Sequence, residues 1–292
     1  MTAPQPPEWT IESVLRWATD DFRARGIERP RLDSELLLGK ALGRTRIQLI
    51  ADAKQLLEPG ELGRFRELLK RRRAREPVAY ILGVREFYGR PFRVDARVLI
   101  PRPDTETLIE VALERTRALS MSARFLDLCT GSGAVAVTLA RERPTSLVVA
   151  TDISPDAVAV ARENALRLGA YNVALRASDL FAGLEPAWRF DLVTANPPYI
   201  AAGEIDGLQP EIRDHEPRLA LAAGIDGLDV VRRIVVEARP RLRPRGVLAV
   251  EVGFGQAPAV AALFASAGFV EVEVRRDYGR VERVVSGVLQ IP

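Results

Sequence analysis

Residues 125–137 read "FLDLCTGSGAVAV": an apolar run from Phe125 to Leu128 interrupted by one aspartate, a turn carrying Gly131 and Gly133, then alanine and valine without a break. An apolar run that short, stopped by glycines, predicts a buried strand, and the alanine-rich segment after it predicts a helix. Strand, glycine turn and helix together are the opening unit of a doubly wound sheet. Its turn brings backbone N–H groups and a helix start close to any ligand at the sheet edge.

The same rhythm continues outward from this unit. "SLVVATD" reads as a strand, and "SPDAVAVARENALRLG" as a helix with Ser154 at its N-cap, Pro155 in its first turn and Gly169 beyond its end. "NVALRAS", "FDLVTAN", a helix near 227–239, "GVLAVEVG", "APAVAALFASAG", "FVEVEVRRD" and "ERVVSGVLQI" complete the series. Seven strands alternating with helices predict an α/β fold with a doubly wound, mainly parallel sheet. Residues 10–76 differ. "TIESVLRWATDDFRARG" places Ile11, Val14, Leu15, Ala18 and Phe22 on one helical face behind a Thr10 N-cap; "RLDSELLLGKALG" repeats the pattern, and a third helix runs from near Pro59 to before Pro77. The expected organisation is therefore a small helical bundle at 1–83, a two-stranded hairpin linker at 84–102 around Gly89-Arg90-Pro91, and the α/β domain at 103–292.

Composition closes off several classes of function. No run of about 18 apolar residues exists, and the start "MTAPQPPEWT" is polar and proline-rich, so a cytosolic protein without a membrane span is expected. Cys129 is the sole cysteine and His215 the sole histidine, which excludes an intrachain disulfide and a zinc site of the usual Cys/His kind. A net charge of +3 rests on arginine, with lysine only at 40, 54 and 70. The block "KRRRAR", Lys70 to Arg75, suits RNA phosphates or the solvated end of a helix, and the second reading is preferred.

Three predicted strands end in order on a carboxylate: Asp127 beside the glycine turn, Asp152 about 20 residues on, and Asp179 in "ASDLF". A carboxylate at the second strand end accepts both hydroxyls of a ribose. Asp179 stands where an acceptor reads an exocyclic amine, with Leu180 or Phe181 against the ring. Cys129-Thr130-Gly131-Ser132-Gly133 lacks the third glycine of a dinucleotide fingerprint, so no pyrophosphate is implied. The pattern resembles the S-adenosylmethionine pocket of class I methyltransferases, with Cys129 where their commonest fingerprint has another glycine. That resemblance implies cofactor contacts from Asp127, Cys129, Thr130, Gly131, Ser132, Gly133, Asp152, Asp179, Leu180 and Asn196.

The fourth strand ends on "NPPY", Asn196 to Tyr199. Pro197 and Pro198 lack an N–H and fix φ, so they stop the strand and aim its carbonyls. An amide or aromatic amine is a poor nucleophile because its lone pair is delocalised. Two acceptors, the Asn196 side-chain oxygen and the Pro197 carbonyl, can hold its two N–H bonds and point the nitrogen at a methyl donor while Tyr199 covers the planar group. No histidine base is required, since the nitrogen becomes acidic once methylated. At this position the tetrapeptide resembles N-methyltransferases of planar amines, which act on DNA adenine, DNA cytosine or protein glutamine.

"IPRPDTE", "DLCTGSG", "NPPYI", "EPRLAL" and "DGLDVVRRI", in that order, with a helical amino-terminal domain, resemble the peptide chain release factor glutamine N5-methyltransferases, the PrmC/HemK family, over essentially the whole chain. The resemblance implies a class I, Rossmann-like methyltransferase that uses S-adenosyl-L-methionine, releases S-adenosyl-L-homocysteine, and methylates the glutamine of a release factor's Gly-Gly-Gln loop. It also implies that the small domain meets the release factor, and that Asn196, Pro197, Pro198 and Tyr199 hold the glutamine. A monomer without direct nucleic-acid binding is expected; the rival reading is an N-methyltransferase of adenine or cytosine in nucleic acid. Arg102 is open between the methionine carboxylate of the cofactor and a helix start. Asp104 and Glu106 are read as structural; His215 and Glu216, in the loop after "NPPY", are open between the border of the glutamine pocket and the surface, and the second reading is preferred.

Overall fold

The computed structural model describes residues 9–119 and 122–290, so the proline-rich start at 1–8 lies outside the described residues. The chain divides into two compact units, Met1–Gly83 and Val84–Pro292.

The first unit is helical: α1 Ile11–Ala24, α2 Pro30–Leu42, α3 Arg46–Ala51, α4 Pro59–Arg73 and α5 Val78–Leu82. Thr10 caps α1 through a reciprocal pair with Ser13, its hydroxyl accepting from the Ser13 N–H while its own N–H donates to Ser13 Oγ. Ile11, Val14, Leu15, Ala18 and Phe22 are all buried, and with Leu37, Leu38, Phe65 and Leu69 they form the core of this unit. The basic block is neutralised from within the same unit. Lys70 pairs with Glu67, Arg71 with Glu76, Arg72 with Asp33 and Arg73 with Asp21, while Arg75 donates to the Arg25 and Gly26 carbonyls. Arg72 and Asp33 are themselves buried.

The second unit opens with a hairpin, β1 Val84–Phe87 and β2 Arg90–Arg93, whose inward Phe87 and Phe92 meet edge to face at 6.0 Å and belong to the core under the sheet. The hairpin expected as a linker is thus built into this unit by two aromatic anchors. A short 3-10 turn, Pro103–Thr105, leads into α6 Glu106–Arg115. Then follow β3 Arg124–Leu128, α7 Ala134–Glu142, β4 Leu147–Asp152, α8 Pro155–Arg167, β5 Val173–Ala177 and β6 Phe190–Ala195. After the short α9 Pro210–Arg213 come α10 Asp229–Ala238, β7 Leu242–Glu251, α11 Ala257–Ser266, β8 Phe269–Arg276 and β9 Glu282–Leu289. The seven strands order as β5-β4-β3-β6-β7-β9-β8, with β9 antiparallel to both neighbours and the other pairs parallel. Two apolar layers sandwich this sheet. Strand order reverses between β3 and β6, and ligands of doubly wound sheets bind at the carboxyl ends of strands at such a switch point. Asp127 and Asn196 both stand there.

Candidate active site

The glycine turn is fixed by three sets of bonds. Thr130 N–H donates to the Thr151 carbonyl at 3.0 Å and Gly133 N–H to the Thr130 carbonyl at 2.8 Å. Asn164 of α8 donates to the Ser132 carbonyl at 2.9 Å, and the same side chain exchanges bonds with the backbone of Arg93 in the hairpin. Gly133 has φ 81, and a Cβ there would lie 3.0 Å from Ala161 Cβ; its absence lets α7 start directly against α8. Cys129 also has a left-handed φ, 54, where a side chain costs about 1 kcal/mol, which accounts for the glycine usual in the fingerprint. Burial and the neighbouring carboxylates push its thiol upward, so it stays protonated and is no nucleophile.

Two cavities meet at this edge. The larger encloses about 960 Å³, part of it open to solvent, and is lined by Asp152, Asp179, Leu180, Pro198, Val230 and Arg233 among others. The smaller is lined by Arg102, Thr105, Asp127, Thr130, Ser132 and Ala134 among others. Leu99, Cys129, Gly131 and Asn196 line both. Asp152 accepts from Gly131 N–H at 2.8 Å on one carboxylate oxygen and from Ser154 N–H at 2.9 Å on the other, which leaves lone pairs on both oxygens for a diol. Leu180 lines the larger cavity, whereas Phe181 is committed to the core. Asp179 forms a two-pronged pair with Arg233 at 3.1 and 3.0 Å.

Asp127 is 1% exposed, and burial pushes its carboxyl up to about 7 against the lowering effect of bonds from Thr130 and Thr194. Those hydroxyls lie at 2.7 and 2.8 Å, one on each oxygen. Asp127 therefore ties the glycine turn to Thr194 of β6, two residues before the strand delivers Asn196.

At that delivery point Asn196 Nδ2 donates to Thr105 Oγ1 at 3.1 Å and to the buried carboxylate of Glu251 at the end of β7. With its N–H groups used there, the Asn196 carbonyl oxygen remains as the acceptor. Pro197 is buried and Pro198 faces the larger cavity. The Tyr199 carbonyl accepts from Gln256 Nε2 at 2.9 Å, and burial pushes its phenol up to about 12. A Cβ on Gly253 would meet the Tyr199 ring at 3.0 Å, so glycine at 253 seats that ring. "EVGFGQ", residues 251–256, is thus the bracket behind "NPPY".

The comparisons with known proteins agree with this construction. A family model described as the PrmC N-terminal domain matches residues 13–83, and one described as the methyltransferase small domain matches 104–210. A release factor glutamine methyltransferase of Geobacter sulfurreducens is 44% identical over 283 residues, covering 97% of this chain and 98% of the relative. One from Cereibacter sphaeroides is 45% identical over 277 residues, covering 94% and 97%. The chain belongs to the release factor glutamine methyltransferase family. Among solved structures, a Pyrococcus furiosus methyltransferase superposes with a TM-score of 0.52 at 18% identity, covering 70% of this chain and 91% of that one. The T. thermophilus 16S rRNA N2 G1207 methyltransferase in complex with AdoMet and guanosine gives 0.51 at 21%, covering 71% and 50%. At such identities these two show the fold alone.

Within this family member the sequence-derived residues divide cleanly. Asp127, Cys129, Thr130, Gly131, Ser132, Asp152, Asp179, Leu180, Asn196 and Pro198 line the cavities, while Gly133, Pro197 and Tyr199 adjoin residues that do. Arg102 lines the smaller cavity and donates to Glu216 Oε1 at 2.6 Å. Glu216, expected at the surface, is only 5% exposed, because the loop after "NPPY" folds it inward onto Arg102. Glu106 accepts the Tyr88 N–H of the hairpin at 2.8 Å and Asp104 pairs with Arg283 at 3.3 Å, both holding the wall in place. Asn164, Glu251, Gly253 and Gln256 were not singled out from sequence. A carboxylate closing the apolar run "GVLAVE" was the available signal for Glu251, by the same logic that marks Asp127 and Asp152. Among the described residues no group of three or more His, Cys, Asp and Glu is placed to hold a metal ion, and no helix is long and apolar enough to cross a membrane.

Proposed function

We propose that this chain methylates the side-chain amide nitrogen, N5, of the glutamine in the Gly-Gly-Gln loop of peptide chain release factors, using S-adenosyl-L-methionine and releasing S-adenosyl-L-homocysteine. The observation that carries the proposal is the place of Asn196, which lines both cavities with its carbonyl oxygen uncommitted. Bound S-adenosyl-L-methionine supplies a sulfonium methyl for attack. Asp152 would hold the ribose hydroxyls, Leu180 and Asp179 would flank the adenine, and the backbone from Cys129 to Ser132 would border the methionine end with Arg102. Support for this fit comes from the spare lone pairs on Asp152 and from the apolar wall beside Leu180.

The protein's share of the chemistry is orientation. Asn196 Oδ1 and the Pro197 carbonyl would accept the two N–H bonds of the glutamine amide, turning its nitrogen toward the methyl donor. Tyr199, seated against Gly253, would shield the planar amide from water. The proton lost from the methylated nitrogen leaves to solvent. The helical first unit would meet the release factor; its basic block is consumed by its own acidic partners, which argues against a phosphate-binding face. The reading places the chain in the cytosol as a monomer.

Mass spectrometry of the Gly-Gly-Gln peptide of a release factor, incubated with the enzyme and labelled methyl donor, should show one added methyl group. The Asn196→Ala variant should add none while leaving cofactor binding largely intact. Label appearing in DNA and not in the release factor would overturn the assignment.

A further inference from the structure

Glu251 is 1% exposed and ends a strand at the cavity edge without an ion-pair partner among the described residues. The nearby Arg283 is committed to Asp277 at 3.1 Å and Asp104 at 3.3 Å. Glu251 Oε2 has no hydrogen-bond partner among the described residues. A buried carboxylate in this condition costs the fold stability, since burial disfavours its charge and nothing fully compensates it. What it does contact is Thr105 and the Asn196 side chain.

We infer that Glu251 is the positioning residue that fixes which face of the Asn196 amide meets the substrate. The Glu251 oxygen on the Asn196 side stays an acceptor even when the carboxyl is protonated, since the proton then sits on the unpartnered Oε2, so the amide beside it presents its NH2 group. Thr105 completes the restraint, accepting from Asn196 at 3.1 Å and donating to Glu251. The other end of the amide, the oxygen, is thereby directed away from Glu251 and toward the cavities. Were the amide free to turn over, half of its orientations would present N–H groups to the N–H groups of a glutamine, which repel. This role rests on the proposal that Asn196 accepts a substrate N–H.

The test separates the two. In the wild-type enzyme the Asn196 side-chain amide protons, identified by their loss in Asn196→Ala, should be protected from hydrogen exchange. Glu251→Leu should remove that protection and lower kcat by about 100-fold, as loss of a substrate-aiming contact does, with cofactor affinity unchanged because Glu251 lines neither cavity. Glu251→Gln, whose carbonyl can still accept from Asn196, should restore both protection and most of kcat. Thr105→Val, which removes the second acceptor and leaves the core packing intact, should show partial loss of each. Full activity in Glu251→Leu, equal damage in the leucine and glutamine variants, or unchanged protection in Thr105→Val would overturn the inference. The exchange measurement needs no methyl acceptor, so it stands even if release factors prove not to be the substrate.

Discussion

Replacing Asp127 by asparagine should make the protein's stability less dependent on pH between about 4 and 7. The carboxyl is pushed up by burial from 3.8 to about 7. A folded-state pKa above the unfolded one means that the native protein binds the proton more tightly. Its favourable contribution is therefore complete below the unfolded value and is lost as pH rises through the folded one. A rise of about three units, at about 1.4 kcal/mol each, sets an upper limit of about 4 kcal/mol on the stability lost from pH 4 to pH 8 through this one group. Asparagine keeps the shape and an acceptor oxygen, and the hydroxyls of Thr130 and Thr194 can rotate to serve it, but it has no proton to exchange. Urea unfolding of both proteins at pH 5, 6, 7 and 8 measures the difference directly. Every other titrating group, Glu251 included, is common to both and cancels. Over pH 5 to 8, where about two of the three units are titrated, the variant should gain on the wild type by between about 1 and about 3 kcal/mol. Parallel stability curves would show that Asp127 is ionised in the fold at all these pH values and that burial does not govern it.

Three further outcomes follow from the site and its frame. Asp152→Ala removes the acceptor assigned to the ribose and also frees the Gly131 N–H, so calorimetry should show cofactor affinity reduced by at least about tenfold, from two lost hydrogen bonds of about 1 kcal/mol each. Gly133→Ala forces a side chain into a left-handed residue 3.0 Å from Ala161 and should destabilise the second unit by about 2–4 kcal/mol, read from its unfolding midpoint. Arg72→Met leaves Asp33 as a buried charge without its guanidinium and should destabilise the first unit by about 3–5 kcal/mol, whereas a phosphate-binding role for this arginine would instead weaken RNA retention with stability unchanged.

The sheet was legible because its signals are local. Each strand is an apolar run closed by glycine, proline or an acid, and Thr10 and Ser154 announce helix starts by side chains that cap them. Short elements were not: α3 and α5 span six and five residues, too few for a period to show, and exist because the bundle packs them. The site divides in the same way. Residues at successive strand ends could be picked out because a doubly wound sheet brings those ends to one edge. Asn164 could not, because its bonds reach Arg93 and Ser132 across 71 and 32 residues and nothing nearby in the chain marks it. Glu216 was misread for a related reason: its partner Arg102 lies 114 residues earlier, so a lone acid in a polar loop looks solvated until the loop is folded.

The pairing of β6 with β7 carries a demand beyond stability. Val193 faces Leu248, Thr194 faces Ala249 and Ala195 faces Val250, so Asn196 falls next to Glu251 simply by counting one residue further. Side chains on neighbouring strands alternate in sense, so sliding β7 by a single residue would bring Val250 or Val252 beside Asn196. The apolar layers would tolerate such an exchange of valines far better than the asparagine would. Methyl transfer is in this respect a test of alignment: a chain whose strands had paired one step out could remain folded and yet hold its key amide unguided. Whatever the segment between the two strands adds to the cavity wall, the count along each strand up to residues 196 and 251 has to be kept.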